Sequence, residues 1–201
     1  MQDASAVGGR TTDQLDKKLF VQVTFCNLLL EMAGGTVQEI QDHHYAARIE
    51  TTANIGEVFD ALTNVERLSQ WWTSATGDGM AGGELVFHFG PGAEAVMHVD
   101  AAEPGATVRW TTTACVLQDW VGTSQHFDLE ALPSGGTAVT FRHVGLTPRL
   151  ECWADCQSGW DHFIPTSLQA YLDTGIGHPN GSPADMARRD TLAARISEGV
   201  A

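Results

Sequence analysis

The chain has 201 residues, 43% of them hydrophobic and 18% charged. That is one ordinary domain with extensions, with enough apolar surface to offset the entropy of ordering, so wholesale disorder is excluded. Lys+Arg number 11 against 25 Asp+Glu, a formal net charge of -14, which argues against a nucleic-acid partner held by counterion release and against adhesion to an anionic membrane.

The N-terminal stretch stands apart in composition. Lys17 and Lys18 are the only lysines of the chain, and everything after Met32 uses arginine as its strong cation. Residues 1–40 are therefore expected to be an N-terminal extension, either disordered or not native, with Met32 as a candidate natural start; the alternative is a helix over 13–30 that packs against the domain. The apolar run from Leu19 to Leu30 is broken by Gln22, Thr24 and Asn27 and falls short of the roughly 20 residues a spanning helix needs. Asp13 and Asp16 spoil it as a signal peptide. Cys26, Cys115, Cys152 and Cys156 are too few and too unevenly spaced for a disulfide framework, which points to a reducing, cytoplasmic compartment.

The main domain is expected over 41–179. A strand over 45–51 leads to Asn54, an N-cap with Glu57 three residues on, and a helix over 55–62. A second helix, 65–72, follows the Thr63-Asn64 break. Gly77, Gly79, Gly82 and Gly83 mark a loop. Leu85, Phe87 and Phe89 then alternate with Glu84, Val86 and His88, the period of a half-buried strand. Pro91-Gly92 and Pro104-Gly105 turn the chain into strands over 95–101 and 107–113. Strands over 123–132 and 137–146 follow, joined by Pro133-Ser134-Gly135-Gly136, and such short connections mean antiparallel pairing. A helix over 151–174, bent at Pro165 and closed by Gly175, carries an apolar stripe that includes Trp160, Phe163, Ile164 and Leu168. Residues 180–201 form an Ala/Arg-rich tail, with one loosely held helix and no motif.

These elements have one economical packing: an α+β helix-grip fold, in which a curved antiparallel sheet of about six or seven strands wraps around the long C-terminal helix. Such a sheet rarely closes completely, and the leftover volume is expected to be a pocket lined by inward sheet residues and the helix stripe.

The run Ala53-Asn54-Ile55-Gly56-Glu57-Val58-Phe59-Asp60-Ala61-Leu62, then Trp71-Trp72, Gly82-Gly83 and Val108-Arg109-Trp110, resembles the START-like (SRPBCC) superfamily. More narrowly, Thr140-Phe141-Arg142-His143-Val144-Gly145-Leu146, with Leu150-Glu151-Cys152, Cys156 and Gly159-Trp160 on the helix that follows, is similar to the branch named after activators of the heat-shock-protein-ninety ATPase. The likeness covers about residues 44–179. It implies the helix-grip fold. Function it implies only broadly, because the superfamily hosts lipid carriers, hormone receptors, cyclases and members with no known activity.

Two clusters invite chemistry. His143 shares parity with Val139 and Phe141, so it should face the pocket, where it could bind a ligand or move a proton; the alternative is a core histidine satisfied by its neighbours. Cys152 and Cys156 share a helix face at a spacing wider than an unstrained disulfide prefers, and a metal would need further ligands, so they read as small buried thiols and no metal is assigned. Trp110 and Trp160 are expected as pocket walls, Trp120 and Trp153 as loop or surface. The ligand-binding set is Trp71, Trp72, Phe87, Trp110, Phe127, Phe141, His143, Cys156 and Trp160. No nucleotide loop, nucleophile elbow or zinc-protease signature occurs, and no cofactor or catalytic residue is assigned. The expected function is binding of a small apolar or aromatic molecule without catalysis. The alternatives are a cyclase, dehydratase or hydrolase using His143, and a co-chaperone-like protein with a protein partner or a homodimer.

Overall fold

A computed structural model describes residues 44–199 of the chain; the expectations for residues 1–40 lie outside the described residues. Strand β1 (Tyr45–Thr51) is followed by two short helices, α1 (Ile55–Thr63) and α2 (Val65–Trp71). Asn54 caps α1 by accepting from the Gly56 and Glu57 amides, and Glu57 reaches back to the Asn54 amide, closing a capping box. Asn64 repeats the cap for α2 through the Glu66 and Arg67 amides. One break thus ends one helix and starts the next.

Strands β2 (Ser74–Gly77), β3 (Glu84–Gly90), β4 (Ala93–Glu103), β5 (Thr107–Cys115), β6 (Ser124–Ala131) and β7 (Thr137–Val144) complete a seven-stranded antiparallel sheet in the order β1-β7-β6-β5-β4-β3-β2. Strand β2 corrects the loop expected around Gly77. Ser74 to Gly77 has no apolar alternation of its own and is held as a strand by its pairing, Ser74 with His88 through Gly77 with Leu85. The register slips on either side of β4, between His88 and Gly90, Val96 and Met97, and Val99 and Ala101. Bulges of this kind bend a sheet and increase its twist, which gives the curvature the grip requires.

Alternate residues of every long strand point inward: Leu85 and Phe87, Ala95, Met97 and Val99, Val108 and Trp110, Phe127 and Leu129, Val139 and Phe141 are all buried. Against this face lies the closing helix. It is α3 (Trp153–His162), a π-helical segment over Phe163–Leu168, and α4 (Gln169–Thr174), ended by Gly175 in the left-handed conformation at φ 78°. Pro165, expected to bend this helix, sits within the π-helical segment, where wider winding accommodates a residue that has no N–H to give.

Polar bonds fix the helix along β1. Tyr45 Oη donates to Asp161 Oδ1 at 2.7 Å near one end, and Thr51 Oγ1 donates to Asp173 Oδ1 at 2.6 Å near the other. Twelve helical residues rise about 18 Å and six strand residues about 20 Å, so the two spans match and helix and strand run side by side. Ser167 Oγ donates to the Trp71 carbonyl and accepts from the His178 amide, at 2.5 and 2.6 Å, tying the π-helical segment to the end of α2.

The C-terminal tail is more firmly held than a loose helix. Its helix, α5 (Pro183–Ser197), is capped by Ser182 and buries Leu192 and Asp185. The Asp185 carboxylate accepts from the Gly181 amide and pairs with Arg188 and Arg189 at 2.8 and 2.9 Å. Arg188 extends to Ser158 Oγ on α3 at 3.1 Å and lies over the Phe163 ring at 5.9 Å.

Candidate ligand-binding cleft

The space between the middle of the sheet and the closing helix is filled by the protein's own aromatic rings. Trp72, Trp110, Phe127, Phe141 and Trp160 form a closed circuit, with successive ring centroids 6.0, 4.9, 4.8, 4.6 and 5.1 Å apart. Phe87 packs on Trp72 and Trp110 from one side at 4.3 and 5.6 Å. These distances are those of tilted and stacked ring pairs in van der Waals contact. All six rings are essentially inaccessible to solvent. The indole N–H of Trp110 has no hydrogen-bond partner among the described residues.

His143 lies beside this circuit, fully buried and engaged on both nitrogens. Trp160 Nε1 donates to Nδ1 at 2.9 Å. An indole nitrogen only donates, so Nδ1 carries no proton and the neutral ring is protonated at Nε2. That N–H faces Thr123 Oγ1 at 2.7 Å, while the Thr123 hydroxyl donates onward to the Trp120 carbonyl at 2.7 Å. Gln125 Nε2 lies 2.9 Å from His143 Nε2; two N–H groups cannot face each other, so with this tautomer the amide is assigned the flipped orientation, oxygen toward the ring. Burial, with a smaller contribution from His44, pushes the His143 pKa down to about 3.

One open volume lies at one end of the grip. A cleft of about 490 Å³ runs between the β3–β4 turn, the loop after β5, α3 and α5. Its floor is Trp72, Trp120, Cys156 and Trp160; its walls are Phe89, Phe163 and Leu192; Val116, Leu117 and Ile196 form an exposed apolar lip. The charged lining residues are Asp155, Arg188 and Arg189. Trp120 corrects the expectation of a loop or surface ring: it is buried, stacked on Trp160 at 5.9 Å, and donates from Nε1 to Cys156 Sγ at 3.1 Å. Burial pushes the Cys156 thiol up, away from the reactive thiolate, and Cys115 and Cys152 are shifted the same way for the same first cause.

Of the residues singled out in the sequence, Trp72, Cys156 and Trp160 line this cleft. Trp71, at the end of α2, does not, nor do Phe87, Trp110, Phe127, Phe141 and His143; these five point inward as strand parity demands, but inward means into a packed interior. Trp110 in particular is core and no pocket wall. Trp153 is half-buried and lines a second groove, of about 480 Å³, on the other side of α3, which Arg188 and Leu192 also border. The residues that sequence reasoning missed are Phe89, the loop pair Val116 and Leu117, and the α5 face. Arg188, Leu192 and Ile196 recur at intervals of four, a helical stripe that was there to be read. Among the described residues, no group of three or more His, Cys, Asp or Glu side chains is placed to hold a metal ion, and no helix is long and apolar enough to cross a membrane.

The sequence profile of the Activator of Hsp90 ATPase homolog 1-like proteins matches residues 52–173. The chain belongs to this family. The Aha1 dimer of Colwellia psychrerythraea, solved in solution, is 29% identical over 67% of this chain and 98% of its own, with a TM-score of 0.59. The crystal structure of CalU16 from Micromonospora echinospora, at 19% identity over 77% of this chain and 86% of its own, shares the fold with a TM-score of 0.54. No curated protein matches the chain. The Hsp90-activator-homologue match stops at the end of the closing helix, so α5, and with it one wall of the cleft, falls outside it.

Proposed function

We propose that this Hsp90-activator-homologue domain binds a small, mostly apolar molecule in the cleft at the end of the grip. The observation that carries the reading is the cleft itself: about 490 Å³, floored by three tryptophans and rimmed by exposed Val116, Leu117 and Ile196. That volume falls within the range of small-molecule sites, and its lining has the mix such sites show, mainly hydrophobic with a few polar groups. A fully buried aromatic interior supports the sheet and helix as a rigid scaffold around it.

Acid–base catalysis by His143 is not the reading the geometry supports, because both ring nitrogens are engaged and the ring does not border the cleft. The free thiols of Cys115, Cys152 and Cys156 fit a reducing cytoplasmic setting.

The test is a titration with N-phenyl-1-naphthylamine, a neutral probe whose emission rises when it leaves water. Wild-type protein is expected to bind it. Gly159→Leu, which projects a side chain into the cleft from α3, is expected to lose binding while remaining folded. Equal binding by both proteins would place the probe elsewhere and overturn the reading.

A second reading, association with another copy of the chain, is favoured by the Colwellia relative, described as a dimer at 29% identity. Sedimentation velocity over a range of concentrations decides it: one species at the monomer mass throughout removes the reading.

A further inference from the structure

We propose that the cleft selects an apolar molecule carrying a carboxylate, and that Arg188 is the residue that reads the acid. This rests on the cleft being the binding site and goes further, to the chemical class of its ligand. Arg188 stands on the α5 wall beside Leu192, bordering both the cleft and the groove on the other side of α3, with its side chain only 17% exposed. Of the five N–H groups of its guanidinium, three are used: Nε and Nη2 donate to Asp185 Oδ1 at 3.2 and 2.8 Å, and Nη1 donates to Ser158 Oγ at 3.1 Å. One N–H on each terminal nitrogen therefore has no partner among the described residues. Two N–H groups on adjacent nitrogens are what the two oxygens of a carboxylate accept in a fork.

The guanidinium is also held in place before any ligand arrives. Asp185, Ser158 and the Phe163 ring fix it from three sides, so little side-chain entropy remains to be lost on binding. Arg189 contributes less. It is half exposed, and its Nε and Nη2 are taken by Asp185 and Asn180. The opposing choice, a cationic ligand drawn to Asp155, is weaker because Asp155 is exposed on α3, where water screens its charge. The charges around the cleft nearly cancel, so selection comes from directed donors and not from a broad positive field.

The experiment compares 4-(pyren-1-yl)butanoate with its primary amide by fluorescence titration of the full chain. The wild type is expected to bind the acid about ten-fold more tightly than the amide. Arg188→Gln is expected to bring the two affinities together by weakening the acid alone, and Arg189→Gln to leave most of the preference in place. The wild-type comparison stands even if Arg188→Gln disturbs α5. Equal binding of acid and amide by the wild type overturns the carboxylate assignment and leaves the cleft standing. Binding of neither removes both. An acid preference that persists in a folded Arg188→Gln protein assigns the reading of the acid elsewhere and overturns the role of Arg188.

Discussion

The indole N–H of Trp160 on the closing helix donates to Nδ1 of His143 on β7 at 2.9 Å. It is a bond between two buried rings, and it decides the protonation of one of them. Trp160→Phe keeps most of the ring volume but leaves Nδ1 as a buried acceptor with no donor. The expected cost is about 1–3 kcal/mol beyond the packing loss, read as a lower urea midpoint at unchanged m-value.

Trp110→Phe makes the informative contrast. Its indole N–H has no partner among the described residues, so the substitution removes a dehydrated polar group along with some ring volume, and one effect offsets the other. Side by side in urea, Trp110→Phe should destabilise less than Trp160→Phe. The reverse order would mean that the Trp160 bond contributes little.

Acid should weaken the fold through His143 in a defined window. An unfolded histidine titrates near 6.5, whereas folded His143 is held down to about 3 by burial first. Above roughly pH 6.5 both states are neutral and this group adds no slope. As pH falls from there toward 3, the unfolded chain takes a proton that the folded chain refuses, and stability drops by at most about 1.4 kcal/mol per pH unit. His126 and His162 are lowered too, again with burial as the first cause, so the measurement is a difference. His143→Asn, whose Oδ1 can accept from Trp160, should show a shallower loss between pH 6.5 and 4 than the wild type. Parallel curves would count against the network as drawn.

Asp185→Asn should release α5. Burial by itself would raise this carboxyl, but the Gly181 amide and the two arginines outweigh it and hold it below the usual carboxylate range. Without the charge, Arg188 and Arg189 lose their shared partner, at roughly 1–3 kcal/mol. Hydrogen exchange is expected to speed up over 183–197 and to stay slow in the sheet. Uniform acceleration across the whole domain would contradict a local role.

Gly159→Ala should stabilise α3. A Cβ there meets nothing closer than the Phe163 ring at 3.9 Å, and alanine in a helix interior is favoured over glycine by about 0.5–1 kcal/mol. Thermal unfolding should shift upward; a downward shift would show that the position is tighter than its contacts indicate.

Much of the fold was legible because its signals are local. Strands β3 to β7 announce themselves by alternation and by Pro-Gly turns, and α1 by the Asn54–Glu57 box. Strand β2 was not, because Ser74 to Gly77 becomes a strand only by pairing with β3. The site was harder to read for a related reason. Parity correctly sends Trp110, Phe127 and Phe141 inward, yet it says nothing about whether the inside is empty, and rings of this size meet one another across the sheet. Trp120 sits among polar neighbours in a connecting loop, so its burial depends on Trp160 and Cys156, which lie far along the chain. The α5 wall lies in a tail rich in alanine and arginine, where its stripe of Arg188, Leu192 and Ile196 is easily overlooked; the partners of Asp185, the Arg188–Ser158 bond and the burial of Leu192 show that it is anchored.

The anchored tail helix begins ten residues after the family-profile match ends at residue 173, so the Arg188, Leu192 and Ile196 wall of the cleft lies outside the segment that places the chain in its family. On the proposed reading, exchanging Arg188, Leu192 or Ile196 would change which guest the cleft prefers while the tryptophan and phenylalanine packing stayed as it is.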